Sequence, residues 1–218
     1  MKLTKKQLRI LINESIFKNK KLLRESMITA LDLHPSVGIE AHIMPFRSHT
    51  VTFSYAGFDE NNMAFESYSS SILPGPNGVY GIVSIMKLQE GEDCAGAFAI
   101  TGHSSAAHGY GPLLYDVAIE YASMYGTGLV ADRGRVSPAA QGVWSFYDSP
   151  RREDVIAFQC DDMSNSLTSD PRDNMNQMNA KSLTGGDFTA SSISRRYSKK
   201  PASNIEYFKQ INRWEEYT

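Results

Sequence analysis

The hydrophobic period of the chain changes across Gly109-Tyr110-Gly111-Pro112, from the two-residue alternation of strands to the 3.6-residue recurrence of a helix. Before the change, Val51, Phe53 and Tyr55 alternate within VTFSYAG. MAFESYSS reads as a further strand, LPGPNG as a turn, and VYGIVSIMKLQ (79–89) and CAGAFAIT (94–101) as strands joined by short loops. After it, residues 112–125 put Leu114, Val117, Ala118, Tyr121 and Tyr125 on one side of a helix, with Asp116 and Glu120 facing elsewhere. GLVAD (128–132) has the length of a buried strand. SPAAQGVWSFYDSP follows as a helix capped by Ser137 with Pro138 at its first position, and DVIAFQC (154–160) reads as the last strand. Antiparallel strands followed by a strand–helix–strand–helix–strand run predict an α+β fold: a mixed, mostly antiparallel sheet flanked by helices.

Charge divides the chain differently. Residues 1–25 hold eight Lys and Arg against two Glu, which leaves this segment at +6 and, of a formal −2 for the whole 218-residue chain, the remainder at −8. Three parts are expected: a basic amphipathic helical arm over 1–30, a central α/β domain over 31–160, and a polar extension over 161–218 that ends in a short helix, for which Ser203 and Glu206 match a capping box. Within the arm, Thr4 reads as a cap and Leu8, Leu11, Ile12 and Ile16 form the apolar stripe. A basic arm on an acidic body points to a protein partner or neighbouring subunit met through residues 1–25 and 161–218. The arm lacks the interleaved aromatics of a nucleic-acid binder. No apolar run is long enough to span a membrane and the opening is not a convincing signal peptide, so the expected place is the cytoplasm. Cys94 and Cys160 have no metal-type spacing, and His34, His42 and His49 read as loop or strand-edge residues, so no metal site is expected.

The glycine segment carries the chemistry. The first amides of a helix have no intrahelical partner and lie at the positive end of its dipole, and glycines before them let an anion approach the backbone. Gly109, Tyr110, Gly111, Leu113 and Leu114 can therefore offer amides to a pyrophosphate, with Pro112 costing little in the first turn; the same residues also make a plain tight turn. GHSSA (102–106) is one residue from the nucleophile elbow of serine hydrolases. That fold needs a histidine after the serine and the acid, and the last histidine here is His108.

Element order and the glycine segment together resemble the GNAT (Gcn5-related N-acetyltransferase) superfamily over about residues 79–160. Ala106-Ala107-His108-Gly109-Tyr110-Gly111 falls on the family's Gln/Arg-x-x-Gly-x-Gly/Ala motif, and Ala140 on the small residue of its next helix. The resemblance implies acetyl-CoA as cosubstrate, bound by His108, Gly109, Tyr110, Gly111, Leu113 and Arg133, and an acyl-CoA-dependent N-acyltransferase acting on an amine acceptor. It departs at two positions. Ala106 stands where the family has Gln or Arg, and Trp144 where a tyrosine often protonates the leaving thiolate; Tyr147, nearly one turn on, is the alternative acid. Glu66, Glu90 and His103 are of the right type for the base, with Glu90 and His103 taken as candidates. The opening MKLTKKQLR is similar to the starts of marine bacteriophage proteins. With the missing Gln/Arg and Tyr, this carries the alternative: a catalytically inactive GNAT-fold structural or accessory protein of a phage, in the host cytoplasm or the virion.

Overall fold

The computed structural model describes residues 28–45, 49–58, 64–65, 81–89, 96–101, 104–107, 109–132, 136–150, 152–159 and 192–218. The basic arm up to residue 27, Glu66, Glu90, His103, His108, Arg133, Cys94, Cys160, the LPGPNG turn and most of the expected polar extension lie outside these residues.

Among the described residues, ten strands join in one sheet. They are β1 (Val37–Met44), β2 (Thr50–Phe58), β3 (Ala64–Phe65), β4 (Gly81–Lys87), β5 (Phe98–Ile100), β6 (Ser105–Ala106), β7 (Leu129–Val130), β8 (Val155–Gln159), β9 (Arg195–Lys199) and β10 (Trp214–Tyr217). The order across the sheet is β10-β1-β2-β4-β5-β7-β9-β8, with β3 on β2 and β6 on β4. Only β1/β10 and β5/β7 run parallel; the other pairs are antiparallel, as the alternation of the early strands predicts. The helices are α1 (Gly111–Tyr125), α2 (Pro138–Tyr147) and α3 (Ser203–Gln210).

Helix α1 is the crossover between the parallel strands β5 and β7, and it fills the core. Its Tyr121 ring meets Phe53 edge-on at 5.3 Å and Phe98 at 5.9 Å, between centroids. Leu114, Val117 and Ala118 are fully buried with Ile39, Val51, Tyr55, Val83 and Ile85. Each large side chain so removed from water contributes about 1.5–3 kcal/mol. Helix α2 starts as its sequence predicts: Ser137 Oγ accepts from the Ala140 amide at 3.2 Å.

Two expectations are corrected and one is extended. First, 154–160 does not hold the last strand. β9 lies between β7 and β8, and β10 pairs with β1, so residues 192–218 complete the sheet rather than extend from it. Second, the side of α1 to which Asp116 and Glu120 turn, away from the Leu114 stripe, is covered by β9 and α3, leaving Glu120 fully buried and Asp116 largely so. Third, the Ser203/Glu206 box does not cap α3. Ala202 occupies the cap position, no side chain of the local box bonds there, and the helix amides find Glu120 instead. No helix among the described residues is long and apolar enough to cross a membrane.

Candidate functional site

The glycine turn is built by backbone bonds on either side of it. After β5, the Thr101 amide donates to Ser84 O at 2.9 Å, and the chain then returns to β4, where Ser105 and Ala106 pair with Ile82 and Gly81. Part of the segment expected to be loop is thus strand, and it ends just before the turn. Gly81 permits the close approach: a Cβ there would stand 2.7 Å from that of Ala106 and 2.9 Å from Leu114 Cδ1.

Gly109 adopts φ +86°, the left-handed region that glycine enters without steric cost. The turn closes with the Tyr110 amide donating to Ala107 O at 3.0 Å. That amide is therefore committed, which removes Tyr110 N–H from the expected cradle. Two carbonyls are pinned in turn: the Tyr55 hydroxyl donates to Tyr110 O at 2.8 Å, and the Ile28 amide to Gly109 O at 3.1 Å. Carbonyls tied back into the protein leave the other side of the turn to the amides at the start of α1. The Tyr110 side chain at the cap position makes no capping bond, and the helix's first turn holds no acidic residue. Among the described residues, a Cβ added at Gly111 would meet just the Ala106 Cβ, at an ordinary 3.5 Å. Leu113 sends its side chain into the core and keeps its backbone in this first turn.

Tyr147 lies behind the turn rather than facing it. It is 1% exposed, and its hydroxyl sits 2.8 Å from Asp116 Oδ1 and 3.0 Å from Pro112 O. Burial, reinforced by the Asp116 charge, pushes its phenol far above the ordinary value. Trp144 is equally buried, stacked on Tyr197 at 5.3 Å and edge-on to Tyr115 at 5.7 Å. Trp144 and Tyr147 thus both serve the packing of α2 on α1 and β9.

Asp116 opens a charge cluster that the sequence did not mark. Arg152 Nη2 donates to Asp116 Oδ1 at 2.9 Å, and its guanidinium also grips Asp154 through two bonds of 2.8 Å. Burial alone would raise the Asp154 pKa, but the Arg152 bonds and charge, with Lys199 beyond, hold its carboxyl below the usual value. Lys199 Nζ lies 2.7 Å from Glu120 Oε1 and 3.5 Å from Asp116 Oδ2. Glu120 then accepts from the Asn204 amide at 3.0 Å, the Ile205 amide at 2.9 Å and Asn204 Nδ2 at 2.8 Å. A carboxylate on α1 thereby caps a helix 84 residues further along the chain and places its charge at that helix's positive end. The only signal in the sequence was two carboxylates four residues apart on α1, a spacing equally typical of a solvated face.

The histidines divide. His34 Nδ1 lies 2.7 Å from Ser36 Oγ, His49 takes φ +45° with its ring edge-on to Phe98, and His42 sits within β1 stacked on Tyr217. Comparison of the chain with family models, with curated proteins and with solved structures returned no match.

Proposed function

We propose that this chain is an acyl-CoA-dependent N-acyltransferase of GNAT type, binding the cosubstrate's pyrophosphate at the start of α1. The observation that supports the reading is the glycine turn, whose carbonyls are bonded back into the protein and where, among the described residues, a Cβ at Gly111 would meet just the Ala106 Cβ at an ordinary distance. Its place supports the reading too: the turn begins the crossover between two parallel strands, and their pairing covers only Phe98–Leu129 and Ala99–Val130. A ligand commonly sits beyond the carboxyl ends of such strands. The amides of Gly111 and Leu113 would donate to the phosphate oxygens, with the thioester arm running along the end of β5. The acceptor amine attacks the thioester carbonyl, a C–N bond forms as the C–S bond breaks, a base takes the amine proton, and the thiolate leaves to be protonated as free coenzyme A. Glu90 and His103 remain the candidates for the base, and His108 and Arg133 for further phosphate contacts.

A second reading, binding without catalysis or a purely structural role, is favoured by one observation: Tyr147 spends its hydroxyl on Asp116 and Pro112 O. Calorimetry with acetyl-CoA, followed by thiol release against a panel of amines, separates the readings. Saturable binding that Gly111→Trp weakens by about tenfold or more, with thiol release, is the expected result. Absence of binding at about 1 mM acetyl-CoA would remove the coenzyme reading altogether. Binding without thiol release selects the inactive reading. If turnover exists and Tyr147→Phe leaves it unchanged, Tyr147 is not the acid.

A further inference from the structure

On the face of the sheet away from α1, Arg196 carries a charge that nothing around it balances. Tyr197 points into the core against Trp144, so the alternation of β9 turns Arg196 to the other face. Its register partners there are apolar: Val130 on β7 and Phe158 on β8. The neighbouring cations are matched. Arg152 holds Asp116 and Asp154, Arg195 pairs with Asp148, and Lys199 with Glu120. Arg196 has no ion pair or hydrogen bond among the described residues, and its Nε, sealed from water, has no acceptor. Packing alone holds the side chain. Its guanidinium carbon lies 4.9 Å from the Phe158 ring centroid, and its stem crosses Gly128, where a Cβ would stand 3.1 Å from Arg196 Cγ. A half-buried cation on an apolar face with no counter-charge is a feature that folding alone does not favour. Beside it, β8 is the edge of the sheet among the described residues, and VIAFQ carries no charge. This strand turns Ile156, 58% exposed, and Phe158, 40% exposed, to the same face as Arg196.

We propose that Arg196, Phe158 and Ile156 form a binding site for an amphiphilic carboxylate, its acid group on the guanidinium and its hydrocarbon body along the two apolar side chains. The outer edge of a guanidinium meets a carboxylate with two parallel N–H bonds, and Arg196 keeps part of its surface in water for this contact. The sealed Nε and the stem packed over Gly128 fix the fork in advance, so little side-chain freedom is lost on binding. Hydrocarbon laid on Ile156 and Phe158 removes apolar surface from water on both sides. The site lies on the opposite face of the sheet from α1, whose Tyr121 packs on Phe98, and it stands whether or not the acyltransferase reading holds.

The test is a titration of the full chain with sodium octanoate, with sodium chloride at matched ionic strength as the reference and no acyl-CoA present. NMR of the Arg196 Nε–Hε group, protected from exchange by its burial, reports the acid end, and the Ile156 methyl and Phe158 ring resonances report the apolar end. Saturable shifts at both ends with one dissociation constant, of order 1 mM, are expected. Acetate, which has the charge without the hydrocarbon body, should bind at least about tenfold more weakly. Arg196→Met, which keeps the stem and removes the charge, should weaken octanoate binding about tenfold, read at Ile156 and Phe158. Arg196→Lys, which keeps a charge without the fork, should weaken it about fivefold and supplies the comparison if the Met variant does not fold. Arg195→Gln, on the same strand but paired with Asp148 on the other face, should leave binding unchanged. No saturable shift at about 20 mM octanoate, equal affinity for acetate, or full affinity in either Arg196 variant would overturn the proposal.

Discussion

The two halves of α1 treat polar groups in opposite ways. At its N-terminal end the Tyr110 side chain makes no capping bond, and among the described residues a Cβ at Gly111 would meet just the Ala106 Cβ. One turn on, and on the side facing β9, Asp116 and Glu120 are enclosed by Arg152, Lys199 and the amides of α3, every partner supplied by the protein itself. The closed half spends its charges on holding the C-terminal segment in place. The N-terminal half ties its carbonyls back into the protein instead, through Tyr55 and Ile28. The dense cluster of Asp, Glu, Lys, Arg and Tyr is here an internal fastening.

The comparison can be broken most forcefully at Glu120. Glu120→Ala strands the Lys199 ammonium, 4% exposed, and uncaps α3, so a loss of about 3–5 kcal/mol is expected by chemical denaturation. A loss below about 1 kcal/mol would show that water or neighbouring carboxylates replace it, and that the closed half is not closed. The next effect is smaller and uses pH. Tyr115 and Tyr121 lie against α1's packed surfaces, and burial pushes both phenols up to about 12. An acid whose folded pKa exceeds its unfolded value near 10 ionises more readily in the unfolded chain. Its contribution is therefore intact below pH 10 and lost between pH 10 and about 12, on the order of 2 kcal/mol for Tyr115. Tyrosinate absorbance should rise together with loss of near-ultraviolet dichroism. Ionisation of these phenols at pH 10 with the fold intact would contradict their burial. The smallest effect concerns the N-terminal half: Gly111→Ala adds a Cβ that meets, among the described residues, just the Ala106 Cβ at an ordinary distance, so stability should change by less than about 0.5 kcal/mol. A large loss would mean that the space at the turn is filled.

How much of this was legible in the sequence depended on how far away each element's partner lies. The alternation of Val51, Phe53 and Tyr55, the recurrence of Leu114, Val117, Ala118 and Tyr121, and the Ser137 cap are all local signals, and each marks its element in the structure. β9 carries no such signal. Arg195-Arg196-Tyr197-Ser198-Lys199 buries only Tyr197 and Lys199, and Lys199 reads as buried only once Glu120 is known to face it. The Ser203/Glu206 box is a sound local pattern that lost to a better acceptor from another helix.

By itself, then, the chain's order of residues determined where strands give way to helix and where glycine lets the backbone turn, because periodicity and φ preference act within a few residues. Only the tertiary structure decided that the tail closes the sheet, that Glu120 caps α3 and that Tyr147 is tied to Asp116. Those outcomes depend on which distant charge or hydrogen-bond donor comes within about 3 Å in a space without water, and residue order alone does not encode that distance.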